Sequence, residues 1–419
     1  MTAEFPRLSD IYAVSHYVAA LVQRVTARGY LDTCEVMFDF LIIGGGIAGA
    51  AVAYFLSEDS HVCLVEQEPF PGFHSTGRSA AVYYEAYGNA VVRALTHSSR
   101  GMLEDPPFDF LEAPLLTPRS CLYLAREEQL AALAAVEQAC PGIARVPPQE
   151  LRRRVPVLKP DCAVAALHDP SMKDVDVHAL HQSFLKVARH RGLDIRTNCA
   201  VRAMRHINGS WQVDTTLGRL GCKTVVNAAG AWAEEIGAVA GRSTPVGLRP
   251  LRRTAILVEG PAGVAVRDWP FVVDVEEKYY FKPDAGLILV SPAEETLSTA
   301  CDAQPDDVDI AIGVDHLERV TTVAVQRVRK AWTGLRTFVA DRSPVIGYDD
   351  LLPDFFWLAA LGGYGIQTAP AVGRLAACMA RRVPLDTIPG TTFPTASLAP
   401  ARAGCSAWSE PSTVQHYDA

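Results

Sequence analysis

Residues 38–56 read FDFLIIGGGIAGAAVAYFL. The run Phe38 to Ile43 has the apolar and branched composition of a buried strand. An alanine-rich stretch from about Ala48 to Leu56 has the composition of a helix. Between them Gly44, Gly46 and Gly49 stand in the spacing G-x-G-x-x-G, with Ala48 at the helix start. The first glycine permits a tight turn and the second admits a pyrophosphate against the backbone. The third lets helix and strand pack closely, and the helix N-terminus favours the phosphate charge. A second strand, HVCLVE, ends on Glu66, 22 residues after Gly44. A carboxylate there is placed to accept hydrogen bonds from a ribose hydroxyl. Strand, glycine turn, helix, strand and terminal acid together open a dinucleotide-binding βαβ unit. The motif by itself does not separate a nicotinamide dinucleotide from a flavin dinucleotide.

Outward from this unit the chain changes character. REEQLAALAAVEQA and HALHQSFLKVARHR read as helices, the second over residues 178–191. DIRTNCAVRAM and SWQVDTT read as two strands split by the turn Asn208-Gly209. TVVNAAG continues as an apolar strand. LRRTAILVE, PFVVDV, KYYFKPD and GLILVSP alternate as strands, which predicts an antiparallel sheet of separate architecture. FFWLAALGGYGIQTAPAVGRLAACMARR reads strand, glycine turn, helix. In residues 1–36, Ile11, Val14, Val18, Leu21, Val22 and Val25 recur at helical spacing. That segment is an amphipathic helix for the domain or a partner, or an extension upstream of a start at Met37.

The bulk numbers set outer limits. A chain of 419 residues is long enough for two domains. A net charge of −8 argues against nucleic acid and anionic membrane surfaces as partners. No apolar run is long enough to span a bilayer, and no charged-then-apolar leader opens the chain. Ten scattered cysteines without a C-x-x-C pair argue against a zinc site and a disulfide framework. They suit a reducing cytoplasm, with peripheral membrane association for electron transfer left open. Asp174 and Asp176 in KDVDVH superficially resemble a metal pair. A helix begins near His178, so they read as its caps. His178 and His181 lie three apart on that helix and read as partly exposed. No metal is expected, and no nucleophile motif is present.

HSTGRSAAVYYEAYG (residues 74–88), NAAGAW, LRRTA, FKPDAG, Trp332-Thr333-Gly334-Leu335-Arg336 and GGYGIQT then follow in order. On these motifs the chain from 38 to about 385 resembles the FAD-dependent D-amino acid oxidase superfamily, most closely D-arginine dehydrogenase-type D-amino acid dehydrogenases. The fold this implies is α/β with an α+β second domain. Residues 37–86, 172–240 and 334–390 would form a doubly wound, Rossmann-like FAD domain. Residues 87–171 and 241–333 would form an antiparallel-sheet substrate domain, and 391–419 an irregular tail.

The resemblance also implies site residues. Ser75 and Thr76 would lie over the pyrophosphate of a non-covalent FAD, with Ala80, Ala81 and Val82 beside the flavin. Gln67 would join Glu66 at the ribose, Val201 would meet the adenine, and Gly230 would border the cofactor. Gly363, Tyr364, Gly365, Ile366, Gln367 and Thr368 would return to the flavin at a helix N-terminus, which suits the negative charge of reduced flavin. Arg253 and Arg336 would grip the substrate carboxylate, for which a guanidinium fork is suited. Tyr87 and Tyr280 would orient the substrate, and the Gly363 carbonyl would accept from the amine. Taken singly, each is a bland residue: a strand arginine is usually a surface ion pair.

Two departures bear on the substrate. The D-arginine type has a histidine where this chain has Val82, and a glutamate where it has Cys121. A thiol cannot offset a buried guanidinium. The expectation is oxidative deamination of a D-amino acid with a neutral side chain to a 2-oxo acid and ammonia, in amino acid catabolism, with the electron acceptor unassigned. Three rivals stay open. They are oxidation of glycine or an N-methyl (secondary) amino acid, oxidation of a 2-hydroxy acid, and a flavin-carrying subunit dependent on a partner.

Overall fold

β1 (Met37–Ile43) runs parallel to β2 (Val62–Val65), with Leu41 opposite Cys63 and α1 (Ile47–Leu56) as the crossover. Alternate residues of β1 enter different cores. Phe40 and Ile42 pack under α1, while Leu41 and Ile43 pack with Trp211, Val225 and Trp357 on the other face. Burial on both faces explains the near-continuous apolar run of the sequence. The computed structural model describes residues 37–107, 109–111, 113–140, 142–384, 395–402, 405 and 408. The expected helix before Met37 and most of the tail lie outside them.

Asp194–Arg196 extends β2 in parallel. On the other side of β1 lies Gly218–Asn227, followed by Ser210–Thr215 and Val201–Ile207 as an antiparallel meander. Phe355–Ala359 pairs in parallel with Gly218–Asn227 and antiparallel with Val345–Tyr348. α2 (Val177–His190) and α3 (Gly365–Ala380) pack on α1. The stretch DIRTNCAVRAM, read as one strand, is two. Asn198 adopts φ +53°, and Cys199 N–H turns to the Glu66 carbonyl. One half therefore joins the parallel strands and the other the meander. Asn208 and Gly209 both have positive φ, as the Asn-Gly turn requires.

Two further expectations are corrected. Asp176 caps α2, accepting from Ala179 N–H at 2.8 Å. Asp174 does not cap. It lies in the short strand Lys173–Val175, accepts from Arg119 Nε at 2.7 Å and pairs with buried Lys282 at 2.9 Å. His181 is 3% exposed, not partly exposed. It faces α1 and the glycine turn, while His178 faces out.

The second large sheet contains β3 (Arg249–Val258), β4 (Tyr280–Asp284) and β5 (Val328–Phe338). Its order is β5, β3, Leu287–Ser291, β4, Phe271–Asp274, Cys121–Ala125, Ala165–Asp169, Ala144–Val146. All pairings are antiparallel except that of Phe271–Asp274 with Cys121–Ala125. Leu122, Val272, Phe281 and Ile256 bury one face; Tyr123, Val273, Tyr280 and Ala255 bury the other. The chain is thus a mixed α/β fold in which a parallel-centred layer and an antiparallel layer come from interleaved segments.

The packing of α3 on α1 depends on Gly373, where an added Cβ would lie 2.8 Å from the Ala51 backbone and Cβ. Overpacking of this kind costs about 1–3 kcal/mol. Gly373→Val is expected to lower the urea unfolding midpoint accordingly, and an unchanged midpoint would refute the contact.

Candidate active site

The glycine turn is shaped by close backbone approach. Gly44 has φ +105°, and a Cβ there would sit 2.5 Å from the Ala228 carbonyl oxygen. A Cβ on Gly49 would meet the Gly44 carbonyl at 1.9 Å. No other residue fits at either position. The turn is held from three sides. Glu66 accepts from Gly45 N–H at 2.7 Å and from Glu68 N–H at 2.9 Å. Thr76 Oγ1 accepts from Ile47 N–H at 3.0 Å, in the first turn of α1. His181 Nε2 donates to the Gly45 carbonyl at 2.8 Å, while Gln182 donates to Nδ1 at 3.2 Å. Burial raises the Glu66 carboxyl above its ordinary range and lowers the His181 imidazole.

A cleft runs past this turn. Glu66, Gln67, Cys199 and Val201 line one end, and Gly44, Gly46, Ala48, Ser75 and Thr76 the middle. Ala80, Gly230, Arg336, Gly363, Gly365 and Ile366 line the region towards the second sheet. The Ser75 hydroxyl donates to the Leu335 carbonyl at 2.6 Å. Six expected cofactor residues stand back from the cleft wall. Gly49 is internal to the turn, and Ala81 packs on the helical core. Val82 pairs with Asp174 in a short strand. Gln367 accepts from Tyr84 N–H at 3.2 Å and donates to Thr96, and the Thr368 hydroxyl donates to the Tyr364 carbonyl. Tyr364 faces an outer cavity instead. One helical turn directs only part of its residues to one side, so Gln367 and Thr368 turn away from this cleft while Gly365 and Ile366 line it.

The register of the second sheet brings the two arginines together. Arg253 pairs with Gly334 and Leu251 with Arg336. Cross-strand partners share a face and so do residues two apart, so Arg253, Gly334 and Arg336 point the same way. Gly363 leaves the space Arg336 occupies, since a Cβ there would lie 2.7 Å from Arg336 Nη1. Arg336 Nη1 donates to the Tyr87 hydroxyl at 3.4 Å. Arg253 Nε donates to the Glu294 carbonyl at 3.0 Å, and Nη2 reaches Glu295 at 3.2 Å. Tyr280 lines the cleft beside them. Arg253 also lines an outer cavity of about 1100 Å³, with Tyr87, Tyr364, Glu277, Glu295 and Arg342.

The charges at this junction oppose one another. Burial, and then the charge of Arg336, lowers the Arg253 guanidinium below its ordinary range. Burial raises the Tyr87 phenol, and Glu277 adds to that. Burial also raises Glu277, against the pull of Arg253 and Arg336. Glu277 was not singled out in the sequence. It sits at φ +59° in the turn before β4, and only its distance of three residues from Tyr280 marked it. Cys121, expected at the side-chain end of the substrate, lines neither cavity. It is fully buried in a cluster with Tyr84, Tyr123, Phe271 and Tyr280. It shares their sheet face but is too short to reach past them.

The chain matches the FAD dependent oxidoreductase family over residues 39–379 and belongs to that family. It is 24% identical over 416 residues to FAD-dependent oxidoreductase domain-containing protein 1 of Bos taurus, covering 84% of this chain and 82% of that protein. The solved structure of L-proline dehydrogenase from P. horikoshii superposes with a TM-score of 0.74 at 21% identity, over 87% of this chain and 97% of that one. Glycine oxidase from Geobacillus kaustophilus superposes with a TM-score of 0.73 at 22% identity, over 87% and 99%. FAD is the cofactor of this family, and the cleft fits it. A bare glycine turn at a helix N-terminus would face the diphosphate, the buried Glu66 carboxylate would stand at the ribose, and the end lined by Arg253 and Arg336 would take the flavin.

Glu66 is the test of the ribose end. A hydrogen bond to a charged group contributes about 1.5–3 kcal/mol. Glu66→Ala is therefore expected to weaken FAD retention by roughly 10- to 100-fold, measured as flavin fluorescence released on dilution.

Proposed function

We propose that this FAD-dependent oxidoreductase oxidises the Cα–N bond of an amino acid, yielding an imine that water hydrolyses to a 2-oxo acid and ammonia. The observation that carries the reading is the arginine pair. Two like charges share one sheet face at the flavin end of the cleft, and burial and mutual repulsion depress one of them. A carboxylate bound between them relieves both strains, and a guanidinium fork meets it with two parallel hydrogen bonds.

The roles of the surrounding groups follow. Arg253 and Arg336 fix the carboxylate, leaving the Cα–H bond to face the cleft. The Tyr87 phenol, already an acceptor from Arg336, holds that guanidinium in orientation. Tyr280 closes the other side. The Gly363 carbonyl is assigned to the substrate amine, and Glu277 supplies negative charge across the cavity from the guanidinia. Fixing the reacting carbon in this way contributes several kcal/mol of the barrier, on the order of what orientation supplies in intramolecular reactions. When bound, FAD supplies the hydride acceptor. The neutral side chain, like the D configuration, rests on the motif resemblance and its departures at Val82 and Cys121.

Anaerobic flavin bleaching by a panel of D- and L-amino acids, glycine, N-methyl amino acids and 2-hydroxy acids tests the reading. Bleaching by neutral D-amino acids with release of ammonia supports it. Release of an amine or aldehyde replaces it with secondary-amine oxidation, and bleaching by hydroxy acids alone replaces it with alcohol oxidation. Arg336→Met is expected to lower kcat/KM by roughly 10²–10³-fold, because truncating one partner of a buried charged pair costs about 2–5 kcal/mol. Glu277 sets a pH effect. Its raised carboxyl ionises at a higher pH than an ordinary glutamate, and only the ionised form attracts an ammonium group. KM is expected to fall as pH rises through that ionisation. Glu277→Gln is expected to flatten this limb of the profile, and a limb unchanged in the variant assigns it elsewhere.

A further inference from the structure

Arg78 ties the cofactor loop to the strand that carries Arg336. It lies in the segment Ser75–Arg78, which lines the cofactor cleft. Its side chain is 16% exposed. Nη1 donates to the Thr333 carbonyl at 2.9 Å and to the Ala303 carbonyl at 3.0 Å. Nη2 pairs with Asp302. The backbone of the same residue takes part, because Trp332 Nε1 donates to the Arg78 carbonyl at 2.9 Å. Three residues earlier, Ser75 Oγ donates to the Leu335 carbonyl. Residues 75–78 are thus fastened to β5 at Trp332, Thr333 and Leu335, immediately before Arg336.

The loop and β5 also lie in van der Waals reach of each other. Gly334 faces the loop from β5, and a Cβ there would lie 3.7 Å from Arg78 Cβ and 3.8 Å from Ser75 Cα. Gly334 also shares its face with Arg253 and Arg336. Any displacement of the loop therefore bears on β5, the strand that carries Arg336 and pairs with the strand of Arg253. At the other end, Thr76 accepts from Ile47 N–H in the first turn of α1, where the FAD diphosphate would lie. Hydrogen bonds from residues 75–78 thus reach both α1 and the part of β5 that precedes Arg336.

We propose that Arg78 is a positioning residue that couples FAD binding to carboxylate binding by holding β5 in register against the cofactor loop. This rests on the reading of Arg336 as a carboxylate holder. Coupling of two sites is reciprocal: if FAD orders the loop and the loop aims Arg336, a bound carboxylate slows the loss of FAD. Lysine cannot replace the guanidinium here, because one ammonium cannot meet two carbonyls and a carboxylate in a planar fork.

The test uses FAD-loaded protein diluted with and without benzoate, a carboxylate lacking an amine. FAD release is followed as a rise in flavin fluorescence. In the wild type, benzoate is expected to slow release by about tenfold, within the usual range of coupling. In Arg78→Lys and Arg78→Met the factor is expected to fall to near one, with KM for the substrate raised more than kcat is lowered. Should either variant fail to fold, Trp332→Phe and Ser75→Ala each remove one fastening and are expected to reduce the factor part-way. A wild-type release rate indifferent to benzoate overturns the inference, as does a factor that survives in the folded Arg78 variants. If benzoate slows release while no amino acid bleaches the flavin, the coupling stands and the amino acid reading falls.

Discussion

The meeting of three backbone segments at Gly44 is the constraint on which the rest depends. The Gly44 turn, the start of α1 and the Ala228 backbone lie so close that no side chain fits between them. This approach keeps side-chain bulk away from the N-terminus of α1, apart from Thr76, which accepts from the Ile47 amide. A helix N-terminus free of bulk, with the field of the helix behind it, suits an anion. Everything around the turn serves to hold it open in that shape. The Glu66 carboxylate grips Gly45 from one side, neutral His181 holds its carbonyl from another, and Thr76 caps the helix without filling the cleft.

Around that fixed point the two sheets divide the work by their pairing geometry. Parallel strands buried on both faces give a rigid floor. The antiparallel sheet exposes one face to the cleft, and on that face alternate residues gather at one place. Arg253 and Arg336 are 83 positions apart in the chain, yet the β3–β5 register makes them near neighbours. Their charges are costly to bury together. The phenol of Tyr87 and the carboxylates of Glu277 and Glu295 moderate that cost without neutralising the pair. Burial and Arg336 hold the Arg253 guanidinium below its ordinary range, and an anion bound there would relieve it, which is the basis of the proposed carboxylate site.

The family match and the fold agree on an FAD-dependent oxidoreductase, and the structural neighbours act on proline and glycine by their names. What these share with the present site is the fold. The local features around the arginines are this chain's own, among them Glu277, whose carboxyl feels the pull of both guanidinia.

The sequence alone determined the elements whose signal is local. The strand–glycine–helix unit, Glu66 at the end of β2, the Asn208-Gly209 turn and the alternation of the antiparallel strands were all readable, because each is set by neighbours within a few residues. Motif order carried the arginine pair and the tyrosines to their positions, although nothing local distinguishes those residues from surface ones. Only the tertiary structure decided contacts made at long range. It buried His181 under the glycine turn, because α2 packs on α1. It took Asp174 from a helix cap to an ion pair with Arg119 and Lys282, because the chain there is extended. It withdrew Cys121 behind larger aromatic side chains, and it turned Gln367 and Thr368 away from the cleft, because a helix shows each side only some of its residues. It also brought Glu277 to the guanidinia and gave Arg78, inside a motif already read as the cofactor loop, its partners on β5. Secondary structure follows from short-range sterics and hydrogen bonding, whereas the partners of a charged side chain depend on which strands pair and in what register.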